Sequence, residues 1–178
     1  VEENVVEREI PHIVRRNIES LKRHHPGAEY RLWMLDDLRE FIRENFDREV
    51  IDAFDKLKAF AFKADLARYC ILYVLGGLYS DLSNYFLEGI KIKEGKSLAC
   101  FREHRPLHGA VWMTQNTIIF ATPRQPELKL AIELVVRNVK NQHYGINSLA
   151  PSGPVLFGRV LAVLGRSDFY QFGSSVNI

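Results

Sequence analysis

The stretch from about Lys58 to Leu75 is what most restricts the folds open to this 178-residue chain. It reads as one helix, closed by Gly76-Gly77 at the C-cap position, and its second half, "LARYCILYVL", is apolar enough to be deeply packed. Between Asp65 and Asp81 the only other charged residue is Arg68, and isolated charges in such a setting need partners. Asp65 and Arg68 stand three apart on one helix face, so they can pair with each other. The helix then leads through the diglycine into "LYSDL", which reads as a strand. Alternation places Tyr79, Asp81 and Ser83 on one side and Leu78, Ser80 and Leu82 on the other. Ligand clefts in open α/β sheets lie outside the carboxyl ends of strands, and Asp81 falls near such an end because Asn84 begins a turn.

The rest of the chain supplies alternating helices and strands. Ile10, Ile13, Val14, Ile18 and Leu21 follow helical spacing up to His25, with Pro26-Gly27 as the stop. "AEYRLWML" then reads as a strand, with Asp36-Asp37 as N-caps for "LREFIRENF". A further helix begins near Val50. "SLACF" and "NTIIFA" read as strands and "PELKLAIELVVRNV" as a helix. Ser152 offers a hydroxyl cap and Pro154 an N1 proline ahead of "VLFGRVLAVL", which Gly165 ends. The expected architecture is an α/β sandwich with a mainly parallel sheet, in one domain spanning residues 1–178. The charged opening "VEENVVERE" and the closing "SSVNI" suit a piece trimmed from a longer protein.

Composition excludes more than it identifies. With 24 Lys and Arg against 22 Asp and Glu, the net charge of +2 gives no reason to expect nucleic acid as a partner. Cys70 and Cys100 lie in apolar stretches and suit buried reduced thiols, hence a reducing, cytoplasmic compartment. No transmembrane segment is expected, since the run Tyr69 to Leu75 falls far short of the roughly 20 residues a spanning helix needs. His24 and His25 suit a helix's last turn, and His12, His104, His108 and His143 lack zinc spacing. His104 or His108, in the loop "REHRPLHGA", is a candidate supplementary contact.

The stretch "FKADLARYCILYVLGGLYSDLSNYF" closely resembles the DXD-containing region of glycosyltransferase family 32. That pattern runs K-[AS]-D-x-x-R-Y, an apolar run, then G-G-[IL]-Y-x-D-x-D. This chain supplies Lys63, Asp65, Arg68, Tyr69, Gly76, Gly77, Tyr79 and Asp81, and departs only at Ser83. "NIESLKRHHPGAEYRLWMLDDLREFI", "NTIIFATPRQPELKLAIE" and "SGPVLF" are similar to flanking family segments. The resemblance implies a GT-A fold, an α/β/α sandwich with a mainly parallel mixed sheet. It also implies transfer of a sugar from a nucleotide-sugar donor, UDP-sugars favoured, to a glycan, lipid or protein hydroxyl with retention of configuration. Asp65 and Arg68 match the pair that binds the donor sugar. Tyr79 matches an aromatic position beside the nucleotide, and Asp81 the first DXD carboxylate. Leu82 and Ser83 complete the motif, while Asn116, Ser152 and Gly153 lie in pocket-side segments.

Breaking the bond from sugar to diphosphate builds negative charge on phosphate oxygens, which a hard cation bound through oxygen ligands neutralises. Asp81 and Ser83 are the candidate ligands for Mn²⁺ or Mg²⁺, with Ser83 weakening the site by one negative charge. Three readings stand: an active glycosyltransferase with an Asp-x-Ser motif, a catalytically silent module that binds nucleotide or sugar, and a plain α/β interaction domain. No catalytic nucleophile is identifiable.

Overall fold

The computed structural model describes residues 10–103 and 112–173; His104, His108 and the two chain ends lie outside the described residues. Its elements run α1 (His12–His24), α2 (Leu35–Asn45), α3 (Arg48–Lys56), α4 (Phe60–Leu75), β1 (Gly77–Ser80), β2 (Leu98–Arg102), β3 (Thr114–Ala121), α5 (Pro126–Lys140), α6 (Pro154–Leu164), a 3-10 turn (Ser167–Phe169) and β4 (Tyr170–Gly173). Among the described residues, no helix is long and apolar enough to cross a membrane.

Helix α4 is the axis of the core. Every residue from Asp65 to Leu72 is buried, and α4 packs against β1, β3, α2, α3 and α5. Ile42, Phe54, Leu128, Val135, Phe157 and Val160 join its apolar side chains in one cluster. Each such side chain contributes about 1.5–3 kcal/mol on leaving water. Lys63, near the start of α4, donates to the carbonyls of Phe54 and Asp55 at the end of α3. A cation there meets the unpaired carbonyls and negative pole of that helix end, so this lysine of the sequence motif holds two helices together.

Gly76 ends α4 at φ +67°, and a Cβ there would stand 2.7 Å from Pro123 Cδ and 2.9 Å from the Ala121 carbonyl. Only glycine allows the chain to reverse so close to β3.

The sheet runs in the order β1-β3-β2-β4. It is mixed, as expected, but not mainly parallel: β1 and β2 both pair antiparallel with β3, and only β2 and β4 run parallel. The physical reason lies in the connections. No described helix stands between β1 and β2 or between β2 and β3, whereas the helical crossover by α5 and α6 precedes the one parallel pairing. The expected strand over 28–35 is absent. Those residues have no strand partner among the described residues, and Leu35 already starts α2. Asp36 and Asp37 consequently lie inside the first turn of α2, where the Asp37 carboxylate accepts from the Met34 amide at 2.9 Å. Met34, not an aspartate, is the N-cap residue.

Strand β3 is longer than its sequence signal and irregular. Cys100 pairs with Ile119, yet the next residue, Phe101, pairs with Gln115, leaving Asn116–Ile118 unmatched on β2. The buried positions change parity across this bulge, from Thr114 and Asn116 to Ile119 and Ala121. Bulges of this kind re-aim side chains, and here they turn a polar residue into the protein beside α4.

Helix α6 lies close enough to β3 that a Cβ on Gly158 would fall 2.0 Å from the Trp112 carbonyl and 3.0 Å from the Thr114 amide. Alanine is the better helix former by about 1 kcal/mol. Gly158→Ala is nonetheless expected to lower stability by about 1–3 kcal/mol, read as a fall in the urea midpoint, because the added methyl forces α6 off the strand.

Candidate functional site

Arg68 is 4% exposed, and its guanidinium is engaged on every side. Nη2 lies 3.2 Å from Asp65 Oδ1, one turn back on the same helix. Nη1 lies 3.2 Å from Asp81 Oδ1, just past β1, and donates to the carbonyl of Asn116 in the bulge. Nε donates to Ala64 O at 3.2 Å, and the guanidinium carbon stands 4.7 Å from the centre of the Tyr79 ring. A guanidinium offers five N–H donors in a fixed plane, which a lysine ammonium cannot reproduce.

Asp65 is as tightly held. Asn116 Nδ2 donates to its Oδ1 at 2.9 Å and Ser152 Oγ to its Oδ2 at 2.8 Å. Burial is the largest influence on this carboxyl and raises its pKa above the ordinary value; Arg68, Ser152 and Asn116 pull it back down. All these neighbours offer donors, which favours the charged form against the burial. Gly153 fits beneath it, a Cβ there standing 3.2 Å from Asp65 Oδ2. Tyr69 completes the network by donating to Ser152 O at 2.8 Å and accepting from Asn116 Nδ2 at 3.2 Å, with its ring stacked on Phe157.

The acidic turn is built differently. Strand β1 ends at Ser80, and residues 81–84 form a turn in which the Asn84 amide donates to Asp81 O at 3.2 Å. Thr117 O, in the bulge, accepts from the Asp81 amide at 2.8 Å and from Asn84 Nδ2 at 3.0 Å. Tyr79 donates its hydroxyl to Asp81 Oδ1 at 2.6 Å. Leu82 and Ser83 are exposed at the tip. Strand alternation therefore does not set the direction of Ser83, because the strand has ended before it.

A cavity of about 900 Å³ opens beside this turn. Of the nine candidates from sequence, Arg68, Tyr79, Asp81, Leu82 and Ser83 line it. Asp65, Asn116, Ser152 and Gly153 do not; the first three are buried behind Arg68, in contact with it or with one another. Ser152 was expected to cap α6, but Gly153 is the N-cap residue and no side chain caps this helix. The hydroxyl is directed to a carboxylate instead. Sequence reasoning missed Tyr69, Asn84 and Asn17 as members of the site. Asn17 signals itself only as a polar residue inside the apolar stripe formed by Ile13, Val14, Ile18 and Leu21.

Arg68 with Asp65 and Asp81 combines one positive and two negative charges, and the Tyr79 and Arg68 contacts to Asp81 both fall on Oδ1. The donor set fits a divalent cation: one carboxylate, partly exposed, with the Ser83 hydroxyl two residues on. Among the described residues, no group of three or more His, Cys, Asp or Glu is placed to hold a metal by itself. A ligand would have to bring further oxygens.

The domain is α/β, with a charged network at a strand end that opens on a large cavity. Residues 11–98 match the family described as "Glycosyltransferase sugar-binding region containing DXD motif". The chain is similar to an uncharacterised glycosyltransferase of Acanthamoeba polyphaga mimivirus, 38% identical over 73 residues, which are 41% of this chain and 29% of the relative. It is also similar to inositol phosphoceramide mannosyltransferase 3 of Schizosaccharomyces pombe, 40% identical over 58 residues, 33% of this chain and 16% of the relative. These matches span less than a third of either curated relative. Among solved structures, the PaToxG glycosyltransferase is similar in fold, with a TM-score of 0.61 at 18% identity, covering 87% of this chain and 64% of that one.

The network separates two roles for Ser152. An N-cap tolerates aspartate as well as serine. A donor to Asp65 does not, because aspartate would place a second carboxylate against the first. Ser152→Ala is expected to cost about 1–3 kcal/mol through an unsatisfied buried oxygen, and Ser152→Asp clearly more, both read from urea midpoints. Equal stability of wild type and Ser152→Asp would return Ser152 to the capping role.

Proposed function

We propose that this domain transfers a sugar from a nucleotide-sugar donor, UDP-sugars favoured, to a hydroxyl acceptor, with a divalent cation held at the Asp81 turn. The observation that carries this reading is the Arg68 bridge between Asp65 and Asp81 at the wall of the cavity. A buried guanidinium shared by two carboxylates leaves one excess negative charge. That charge repels a bare diphosphate and complements a cation, so donor and metal are expected to bind together.

In this reading Arg68 hydrogen-bonds donor oxygens, Asp65 fixes Arg68 from behind the cavity wall, Tyr79 borders the nucleotide, and Asp81 with Ser83 supplies protein oxygens to Mn²⁺ or Mg²⁺. When bound, such a cation stabilises the charge that builds on the leaving diphosphate. Asn116, Ser152 and Gly153 act behind the wall by fixing Asp65, which keeps the donor-facing groups organised before the ligand arrives. The acceptor is a glycan, lipid or protein hydroxyl, and retention of configuration is the family's implication. Because one Asp81 oxygen is already taken by Tyr79 and Arg68, the protein contributes few ligands and the diphosphate contributes the rest.

The experiment is calorimetric titration with a panel of UDP- and GDP-sugars, with and without Mn²⁺. Binding that needs both components is expected; no binding in any condition would refute the reading. A nucleotide-sugar that binds but is neither hydrolysed nor transferred to any acceptor would favour the silent binding module. Asp81→Ala is expected to weaken donor binding at least about tenfold, the scale of one lost charge-assisted contact. Ser83→Asp is expected to tighten apparent Mn²⁺ affinity. An unchanged metal titration would show that residue 83 does not face the cation.

A further inference from the structure

Helix α1 makes a set of polar contacts whose partners all lie in the segment following β1. Asn17, 7% exposed, donates its amide to the carbonyl of Leu82 at 2.9 Å. Ser20 accepts from the Phe86 amide at 2.9 Å while donating to Asn17 O at 2.7 Å. His25 accepts from the Ile90 amide at 3.0 Å through Nε2, with Nδ1 directed at Leu21 O. Arg16 stacks over Tyr85, and the backbone at His24 comes so close to Gly89 that a Cβ would fall 2.5 Å from its carbonyl.

These contacts differ in what they hold. Ser20 and His25 fasten the distal part of the segment, at residues 86 and 90. Asn17 reaches the exposed tip of the turn, at the carbonyl between Asp81 and Ser83. From the opposite side the turn is held by Thr117 O in the bulge. The tip is thus fixed between β3 and one amide of α1.

The geometry points to Asn17 as a positioning residue: it holds the Leu82 carbonyl and so sets how Asp81 and Ser83 present their oxygens to the cavity. The inference rests on the glycosyl-transfer reading for what those oxygens bind, but not for the latch itself. Asn17 itself lines the cavity, and the role inferred for it is exerted through the Leu82 carbonyl rather than by contact with donor or cation. Its action passes through the turn, whose geometry matters more here than in a site with two carboxylates, because the protein brings so few ligands that each must be in place on arrival. Helix α1 stays docked without Asn17, since Ser20 and His25 remain.

The test compares wild type with Asn17→Ala and with Asn17→Leu, which fills similar space without charge but cannot donate. Glu19→Ala, exposed on the same helix, serves as control. Hydrogen exchange is measured over residues 81–90, and Mn²⁺ is titrated in the presence of UDP-glucose and of GDP-mannose. Both Asn17 variants are expected to exchange faster at residues 81–84 and to bind Mn²⁺ about five- to tenfold more weakly, the loss of one hydrogen bond's effect on the turn. Glu19→Ala is expected to match wild type. Unchanged exchange at the turn would overturn the latch. Faster exchange spread over α1 and 85–90 would overturn it too, by making Asn17 a general docking contact. Faster exchange with unaltered Mn²⁺ affinity would overturn the positioning role. If wild type itself takes up neither nucleotide-sugar with Mn²⁺, the glycosyl-transfer reading fails, and the exchange result alone decides the latch.

Discussion

A guanidinium buried between two carboxylates is the interaction on which the site of this domain depends. Arg68 sits in the buried, apolar stretch of α4, where an unpaired charge would cost several kcal/mol, and its neighbours are arranged to prevent that. Asp65 comes from the preceding turn of the same helix, Asp81 from the end of the adjacent strand, and the Asn116 carbonyl from the strand beyond. The three elements that meet at Arg68 are therefore fixed relative to one another by polar contacts as well as by apolar packing. Replacing such a cluster with apolar side chains often stabilises a protein, so its presence in a core calls for a reason other than stability. The proposed donor and cation, which use the charges, would supply such a reason.

The fold serves this cluster through two backbone irregularities. Gly76 lets α4 turn directly into β1, which keeps Arg68 and Asp81 within contact although they stand thirteen positions apart in sequence. The bulge in β3 then gives one three-residue segment three tasks: Asn116 binds Asp65 with its side chain and Arg68 with its carbonyl, and Thr117 O holds the acidic turn. A regular strand would have sent Asn116 and Thr117 to opposite faces in register with β2.

Much of the local structure could be read from residue order, since helix spacing, proline and glycine placed α1, α4, α5 and α6 within a few residues. The cluster itself was legible because isolated charges in an apolar stretch are rare and Asp65, Arg68 and Asp81 fall in a recognisable pattern. What failed depended on partners distant in sequence. Residues 28–34 have the side chains of a strand, yet a strand exists only by its neighbour. The sheet's direction followed from the connections and not from the count of helices. Ser152 stood where a cap belongs, and only the spatial approach of Asp65 assigned its hydroxyl elsewhere. The turn at Asp81 ended β1 earlier than alternation implied, so alternation does not govern Ser83, which lines the cavity from the turn.

The departure at Ser83 acquires a physical meaning in this setting. The acidic turn carries a single carboxylate, and one of its oxygens is already shared with Tyr79 and Arg68. What remains is a sparse set of hard oxygens on the rim of a large cavity, suited to a cation that arrives with a diphosphate. The most direct measurement is a crystal structure with a bound nucleotide-sugar and Mn²⁺, collected at a wavelength where manganese scatters anomalously. The account predicts an anomalous peak within coordination distance of Asp81 and of the diphosphate, with the sugar against Arg68. A donor bound in the cavity with no peak beside Asp81, or bound away from Arg68 altogether, would contradict it.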